Sequence, residues 1–204
     1  NIGRLIATLK ANKQYDNTLI VFMSDNGGCA ENVDGRNFND KNVPIGAKGS
    51  YVTYDYPWAN VSNTPFRKYK KFMHEGGMIT PCIIQWPAKI KAKTGFNEGV
   101  GHIIDLLPTS LELAGVPINN LPGQSLSYLW NGKAMQPETY FWEHVGNKAM
   151  RKGNWKIVKD IEDADWELYD MSTDLTESNN LAKINTTLLN QMIAEYELWT
   201  KKNS

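Results

Sequence analysis

Between Leu19 and Arg36 the chain reads LIVFMSDNGGCAENVDGR, an unbroken apolar run that ends on a carboxylate, an amide and two glycines. The run from Thr18 to Met23 has the continuity of a parallel strand covered on both faces, which implies an α/β sheet. In open sheets of that kind ligands gather at the carboxyl ends of the strands, where Asp25 and Asn26 stand. Side chains alternate along an extended strand, so neighbouring Asp and Asn can aim at one point only after the strand has ended. Gly27 and Gly28 are expected to permit that turn. An ionised carboxylate beside an amide oxygen suits Ca²⁺ or Mg²⁺ better than a soft metal. The same tetrapeptide is also good material for a plain Asx turn. A hard cation needs about six oxygens, so any further ligands must come from elsewhere.

The 204 residues, 41% of them hydrophobic, suffice for one domain or one and a half. Basic and acidic residues balance at 22 each, which excludes long-range steering of nucleic acid or of an anionic membrane. No apolar stretch approaches the roughly 20 residues that span a bilayer. The opening NIGRLIATLKANK lacks a start methionine and a signal peptide's apolar middle, and Ile2, Leu5, Ile6 and Leu9 fall at helical spacing. It reads as a fragment that begins inside an amphipathic helix. Cys29 and Cys82 form neither a CxxC nor a Cys/His cluster, which argues against zinc and leaves one disulfide undetermined, with two free, partly buried thiols as the favoured reading.

The first helix is expected to end near Lys13, with a turn at YDN. From Asn32 to Asn63 the chain is rich in Asn, Gly, Asp and Tyr without clear periodicity, a long irregular excursion. A second strand is expected over Met78 to Trp86, and a helix over Ile103 to Ala114 with Gly115 placed to stop it. GVPINNLPGQ is boundary punctuation. Beyond it TYFWEHV, KAMRKG, WKIVKD and WELYDM read as an antiparallel meander. A closing helix spans Thr187 to Lys201, with Leu188, Leu189, Met192, Ile193, Tyr196 and Trp199 on one stripe. The division drawn is residues 1–135 for the α/β part and 136–204 for a small α+β subdomain.

A second constellation is NTPFRKYKKFMHEGG, Asn63 to Gly77, where Arg67, Lys68, Lys70 and Lys71 precede a Gly-Gly bend. A lysine run is ordinarily a solvated face. In an extended conformation Lys68, Lys70 and Phe72 would share one side, and Tyr69, Lys71 and Met73 the other. One such lysine held beside a metal would make an anion site.

Together these residues resemble the sulfatases, specifically the arylsulfatase-like type I enzymes of the alkaline phosphatase superfamily. The resemblance rests on SDNG after a strand, a lysine five residues before EGG, HIIDLLPTSLELAGV, LPGQSL, and the tail from YFWEHVGNKAMRKGNWKIV to WELYDMSTDLTESNNLA. It covers nearly the whole chain in the family's order and implies part of an alkaline-phosphatase-like core followed by the family's C-terminal subdomain. Asp25 and Asn26 match metal ligands, usually Ca²⁺ in this family. Lys70 matches the lysine that contacts a sulfate oxygen and stabilises the leaving group, its neighbouring lysines being bystanders. His144 in WEHVGN could line the substrate pocket, while His74 and His102 rank lower, the latter as a packed helix entry. Where the family frequently has Arg two positions after its glycine pair this chain has Ile79, a departure that bears on one structural salt bridge and not on the metal site.

The resemblance also implies what the chain lacks. The family's nucleophile is a formylglycine made from the Cys or Ser of C/S-x-P-x-R; NTPFR has that spacing, but Asn63 cannot be the precursor. The formylglycine, the earlier Asp pair of metal ligands and further sulfate contacts are expected upstream, so the parent would hydrolyse sulfate monoesters, on sulfated glycans among other substrates, while this chain alone would be inactive. The missing N-terminal half is then its first partner. The competing readings are a phosphonate or phosphodiester hydrolase of the same superfamily, and a non-catalytic glycan-binding module using the seven Trp and nine Tyr. Export, in bacteria to the periplasm, follows from the resemblance, and the triplets Asn60-Val61-Ser62 and Asn185-Thr186-Thr187 are compatible with it.

Overall fold

The computed structural model describes residues 1–32, 39–53, 55–92, 96–97, 99–132 and 139–203. In chain order the elements are α1 Ile2–Ala11, β1 Ile20–Met23, α2 Asp55–Ser62, α3 Glu75–Met78, β2 Cys82–Gln85, α4 Leu106–Leu113 and α5 Tyr128–Asn131. There follow β3 Thr139–His144, β4 Asn147–Lys152, β5 Trp155–Lys159, β6 Glu167–Asp170 and α6 Thr186–Asn203. They make two compact units, Asn1–Met23 with Cys82–Glu138, and Ser24–Pro81 with Thr139–Ser204.

In the first unit β1 pairs with β2 antiparallel, Ile20 opposite Gln85 and Met23 opposite Cys82. The parallel, doubly covered strand expected from the apolar run is therefore corrected. An all-apolar run carries no information about pairing direction, and here Phe22 is 50% and Ile83 62% exposed. The second strand is four residues, shorter than Met78 to Trp86, because Met78 ends α3 and Pro81 has no N–H to donate. The helix entry at His102 is as expected. His102 Nδ1 accepts the Ile104 N–H at 3.2 Å and Asp105 Oδ2 accepts the His102 N–H at 2.7 Å, a reciprocal cap. Pro108 sits in the first turn of α4, where its missing N–H costs nothing, and Gly115, at φ +72°, follows the helix end.

The second unit is built on the meander, a four-stranded antiparallel sheet in the order β3-β4-β5-β6. Val145 and Gly146, with φ of 51° and 79°, make the tight turn between β3 and β4 that matches strand twist. Register decides the two faces. Met150, Ile157 and Leu168 lie opposite one another across β4, β5 and β6 and pack on Met192 and Tyr196 of α6. The helical stripe expected over Thr187 to Lys201 is the one that packs there, with Leu188, Leu189, Ile193 and Trp199 at its margins. On the opposite face Ala149, Val158, Tyr169 and Met171 are covered by Met73. β5 thus has Lys156, Ile157 and Val158 buried on both sides.

The expected irregular excursion contains the eight-residue helix α2, whose apolar residues do not gather on one side and so left no period to read. Residues 33–38 and 54 of that stretch, and the subdomain boundary at 136, lie outside the described residues. Both cysteines are free, but only Cys29 is partly buried; Cys82 is exposed, which corrects the pairing of both as half-buried thiols.

Candidate functional site

In Asp25-Asn26-Gly27-Gly28 the need for glycine at position 27 is steric. The Gly27 N–H donates to the Gly77 carbonyl at 3.1 Å, and a Cβ on Gly27 would stand 1.9 Å from the Gly76 oxygen. A Cβ on Gly76 would meet the Arg67 oxygen at 2.2 Å, and one on Gly77 the Phe72 oxygen at 2.2 Å. None of the three has a positive φ. These glycines are required by close backbone approach, not by the turn geometry expected of them.

Two further bonds weld the loops. The Lys70 N–H donates to the Gly28 oxygen at 2.9 Å, and the Gly28 N–H donates to Asn63 Oδ1 at 2.8 Å. Asn63 Nδ2 in turn donates to the Lys68 oxygen at 3.0 Å. Asp25, Asn26 and Lys70 therefore stand on one bonded body.

The lysine run is not extended. Lys68 at φ 66° and Lys71 at φ 94° are left-handed, so the even alternation expected for these side chains is corrected by two turns. Lys68 Nζ pairs with Asp160 Oδ2 at 3.1 Å and lies 4.5 Å from the centre of the Phe72 ring, a structural role. Lys71 is exposed and gives its carbonyl to Asn147 Nδ2 at 3.1 Å. Lys70 alone turns toward the first loop, with Nζ 3.0 Å from Glu31 Oε2 and 4.0 Å from Cys29 Sγ. The hydrogen bond to Glu31 holds its ammonium above the usual lysine range, with Cys29 and Asp25 adding to the effect.

Asn26 Nδ2 donates to the Gly27 oxygen at 2.8 Å, which leaves Oδ1 as the atom able to ligate. Asp25 is exposed and accepts no hydrogen bond among the described residues. This hard-oxygen pair fits a Ca²⁺ or Mg²⁺ ion as part of a shell. Among the described residues no group of three or more His, Cys, Asp or Glu completes one. His144 is exposed at the end of β3, opposite Asn147, whose amide bond to Lys71 brings the hairpin end against the lysine loop.

The residues least legible in the sequence are those beneath the loop. Arg67 Nη1 donates to Tyr169 Oη at 2.7 Å and to the Glu177 carbonyl at 2.6 Å. His74, 1% exposed, lies between Glu167, 2.6 Å from Nε2, and Asp160, 3.4 Å from Nδ1 in a charge contact off the hydrogen-bonding direction. Burial alone would lower the His74 pKa; the two carboxylates outweigh it and raise it. Lys156 is wholly buried against Glu75 and Glu177. A lysine amid the apolar residues of WKIV was the available signal for this pair, since a buried ammonium demands a buried carboxylate.

Residues 1–116 match the family model described as Sulfatase, and residues 66–202 match the one described as N-sulphoglucosamine sulphohydrolase, C-terminal. A protein named as an uncharacterized sulfatase from Schizosaccharomyces pombe is 35% identical over 98% of the chain and 40% of its own length. An N-acetylglucosamine-6-O-sulfatase of Bacteroides thetaiotaomicron is 26% identical over 89% of the chain and 29% of its own length. The crystal structure of Ps i-CgsB superposes at TM-score 0.72 and 29% identity, covering 100% of the chain and 41% of that protein. A phosphonate monoester hydrolase from Silicibacter pomeroyi shares the fold at TM-score 0.58 and 22% identity, covering 98% and 38%. The chain spans well under half the length of these relatives, 40% of the first. With two overlapping family models running from residue 1 to residue 202, it belongs to the sulfatase family.

Proposed function

We propose that the protein of which this chain is part hydrolyses sulfate monoesters, with Lys70 as a catalytic residue, and that Asp25 and Asn26 supply part of a Ca²⁺ or Mg²⁺ site. The observation that carries the reading is the bond from the Lys70 N–H to the Gly28 oxygen, which ties the lysine of the run that is directed at the DNGG loop to that loop. In sulfate ester cleavage negative charge builds on the bridging oxygen, and fixed donors aimed there are worth several kcal/mol. Lys70 Nζ, presently on Glu31, would exchange that carboxylate for a sulfate oxygen and hold charge on the leaving group. A cation bound by Asp25 and Asn26 would supply positive charge beside the sulfate oxygens. His144, on the hairpin end, is assigned to the leaving-group side of the substrate.

The chain contains no C/S-x-P-x-R, so the formylglycine is assigned to the part of the protein outside it, and the isolated chain is proposed to be inactive. The substrate class proposed is a sulfated glycan, on the likeness to a sulfatase named for N-acetylglucosamine 6-O-sulfate. Residues 1–135 are assigned to the catalytic domain and 136–204 to the C-terminal subdomain, and export to a periplasm is proposed on the family resemblance. No described helix is long and apolar enough to cross a membrane.

The test is a comparison of the full-length protein on an aryl sulfate, a sulfated monosaccharide and a phosphonate monoester, with and without a chelator. Sulfate release that chelation abolishes supports the reading. Faster turnover of the phosphonate ester than of either sulfate would replace it with phosphonate hydrolysis.

A further inference from the structure

The two ends of the lysine loop stand on the same two carboxylates. Glu167 receives Arg67 Nη2 on Oε1 at 3.8 Å and His74 Nε2 on Oε2 at 2.6 Å. Asp160 pairs with Lys68 Nζ through Oδ2 at 3.1 Å and faces His74 Nδ1 with Oδ1 at 3.4 Å, a charge contact with no hydrogen bond in it. Arg67 and Lys68 open the loop and His74 closes it, so the carboxylates draw its ends together and leave Lys70 on the free span, reaching Glu31 instead. The span does not hold itself. Lys68 and Lys71, on either side of Lys70 and its neighbour, are left-handed, a backbone state that persists in residues with a Cβ only where the surroundings impose it.

Within this ring only the histidine changes charge near neutrality. An imidazolium carries an N–H and positive charge toward both carboxylates, hydrogen-bonded to Glu167 and in charge contact with Asp160, whereas a neutral ring loses that charge and would turn a lone pair on one of them. Among the described residues, the charged and titratable groups that face His74 come from three elements. Asp160 follows β5, Glu167 and Tyr169 lie on β6, and Arg67 and Lys68 belong to its own loop. Glu177 acts from further off and is paired with Lys156, as is the adjacent Glu75.

We propose that His74, as the imidazolium, is a positioning residue for Lys70: it closes the ring Arg67, Glu167, His74, Asp160, Lys68, and its deprotonation loosens the lysine loop and sets the alkaline limit of sulfate-ester binding. The proposal rests on the catalytic assignment of Lys70 above for its consequence, though not for its geometry. The raised pKa of His74 is consistent with an imidazolium that persists above the ordinary histidine range.

The experiment uses the full-length protein and two readouts. The first is zero-length carbodiimide cross-linking of Lys70 to Glu31, quantified by peptide mass spectrometry against the exposed Lys152–Glu195 pair, which at 2.7 Å serves as the internal reference. The relative yield in the unmodified protein is expected to fall several-fold as pH rises through the histidine range. The second is the pH profile of kcat/KM on an aryl sulfate for the unmodified protein and His74→Gln. The variant is expected to be down about tenfold at the pH optimum, mostly in KM, and flat where the unmodified protein falls. A relative cross-link yield independent of pH, or a variant that keeps the full alkaline limb, overturns the proposal. If His74→Gln does not fold, the cross-linking of the unmodified protein decides alone. Unimpaired sulfate turnover by Lys70→Ala would instead sink the catalytic assignment, leaving the cross-link arm to judge the positioning.

Discussion

Lys156 Nζ lies 2.5 Å from Glu75 Oε1 and 2.8 Å from Glu177 Oε1, and none of the three side chains is more than 7% exposed. Glu177 also accepts the Glu75 N–H, at 2.7 Å on Oε2. One ammonium thus holds the first residue of α3 to the sheet. Lys156→Met would leave two buried carboxylates uncompensated, and the expected loss is about 3–5 kcal/mol. A urea unfolding series measures it; a loss under ~1 kcal/mol would mean that water reaches the pair.

The glycines differ in what they tolerate. Gly27→Ala would place a methyl carbon 1.9 Å from a backbone oxygen that cannot swing aside. The expected cost is at least ~2 kcal/mol, with weakened Ca²⁺ binding in the full-length protein. Gly3→Ala in α1, where nothing lies within 4 Å, should instead stabilise by roughly 0.5 kcal/mol. Paired thermal melts and calcium titration calorimetry give the comparison, and equal effects at the two positions would contradict the close-approach explanation.

The difference between these positions and the elements around them shows what a sequence exposes. Met150, Ile157, Leu168 and the stripe of α6 could be read because their partners repeat at fixed intervals along the chain. The antiparallel pairing of β1 and β2 could not, since five apolar residues in a row look alike in either direction. Asp25, Asn26 and Lys70 are proposed from their motifs, and the bonds between their loops could not be read from those motifs. His74, Asp160 and Glu167 were not legible, because the contacts between residues 74 and 160 and between 74 and 167 span distances in sequence that leave no local period. A histidine before a glycine pair announces nothing until the sheet beneath it is built.

Lys70 should separate activity from folding. Its ion pair with Glu31 is exposed, 33% and 55% at the two side chains, and such pairs contribute ~1 kcal/mol or less. Lys70→Ala in the full-length protein is expected to leave the melting temperature nearly unchanged while lowering kcat on a sulfate ester by about 10²–10³-fold. A large fall in stability with intact turnover would reverse the assignment.

The proposed divalent-ion site predicts an effect of chelation that acts through Asp25. Asp25→Asn keeps an oxygen but loses the charge, and calcium affinity is expected to drop by at least ~10-fold. Chelation should lower the melting temperature of the unmodified full-length protein and do less to the variant. Identical responses to chelation would place the ion elsewhere.

The ion ring carries its own pH window. Burial works to raise Asp160 and Glu167, but His74 and the cations beside them outweigh it and hold both below their ordinary 3.8 and 4.5. Their contribution to stability is complete above those values and fades as pH falls through the lowered ones. His74 runs the other way, since its pKa stands above the ordinary 6.5. Its contribution is complete below that value and is lost as pH rises through the raised one. Stability of the second unit should therefore crest between about 4.5 and 6.5. A pH series of thermal melts checks it; a midpoint still climbing above neutrality would refute the assignment.

Asn63 occupies the first position of NTPFR, and its carboxamide touches both loops, accepting from Gly28 with Oδ1 and donating to Lys68 with Nδ2. The span between the DNGG turn and the lysine segment is thus gauged by the width of one planar amide. An aspartate would keep the acceptor and turn its second oxygen on a carbonyl; a serine would be too short to touch both. Together with the direct bond from the Lys70 N–H to the Gly28 oxygen, that rigid amide group opposes any drift between the proposed cation ligands and the ammonium, so the spacing on which a sulfate would be measured is braced by a side chain that need never meet it.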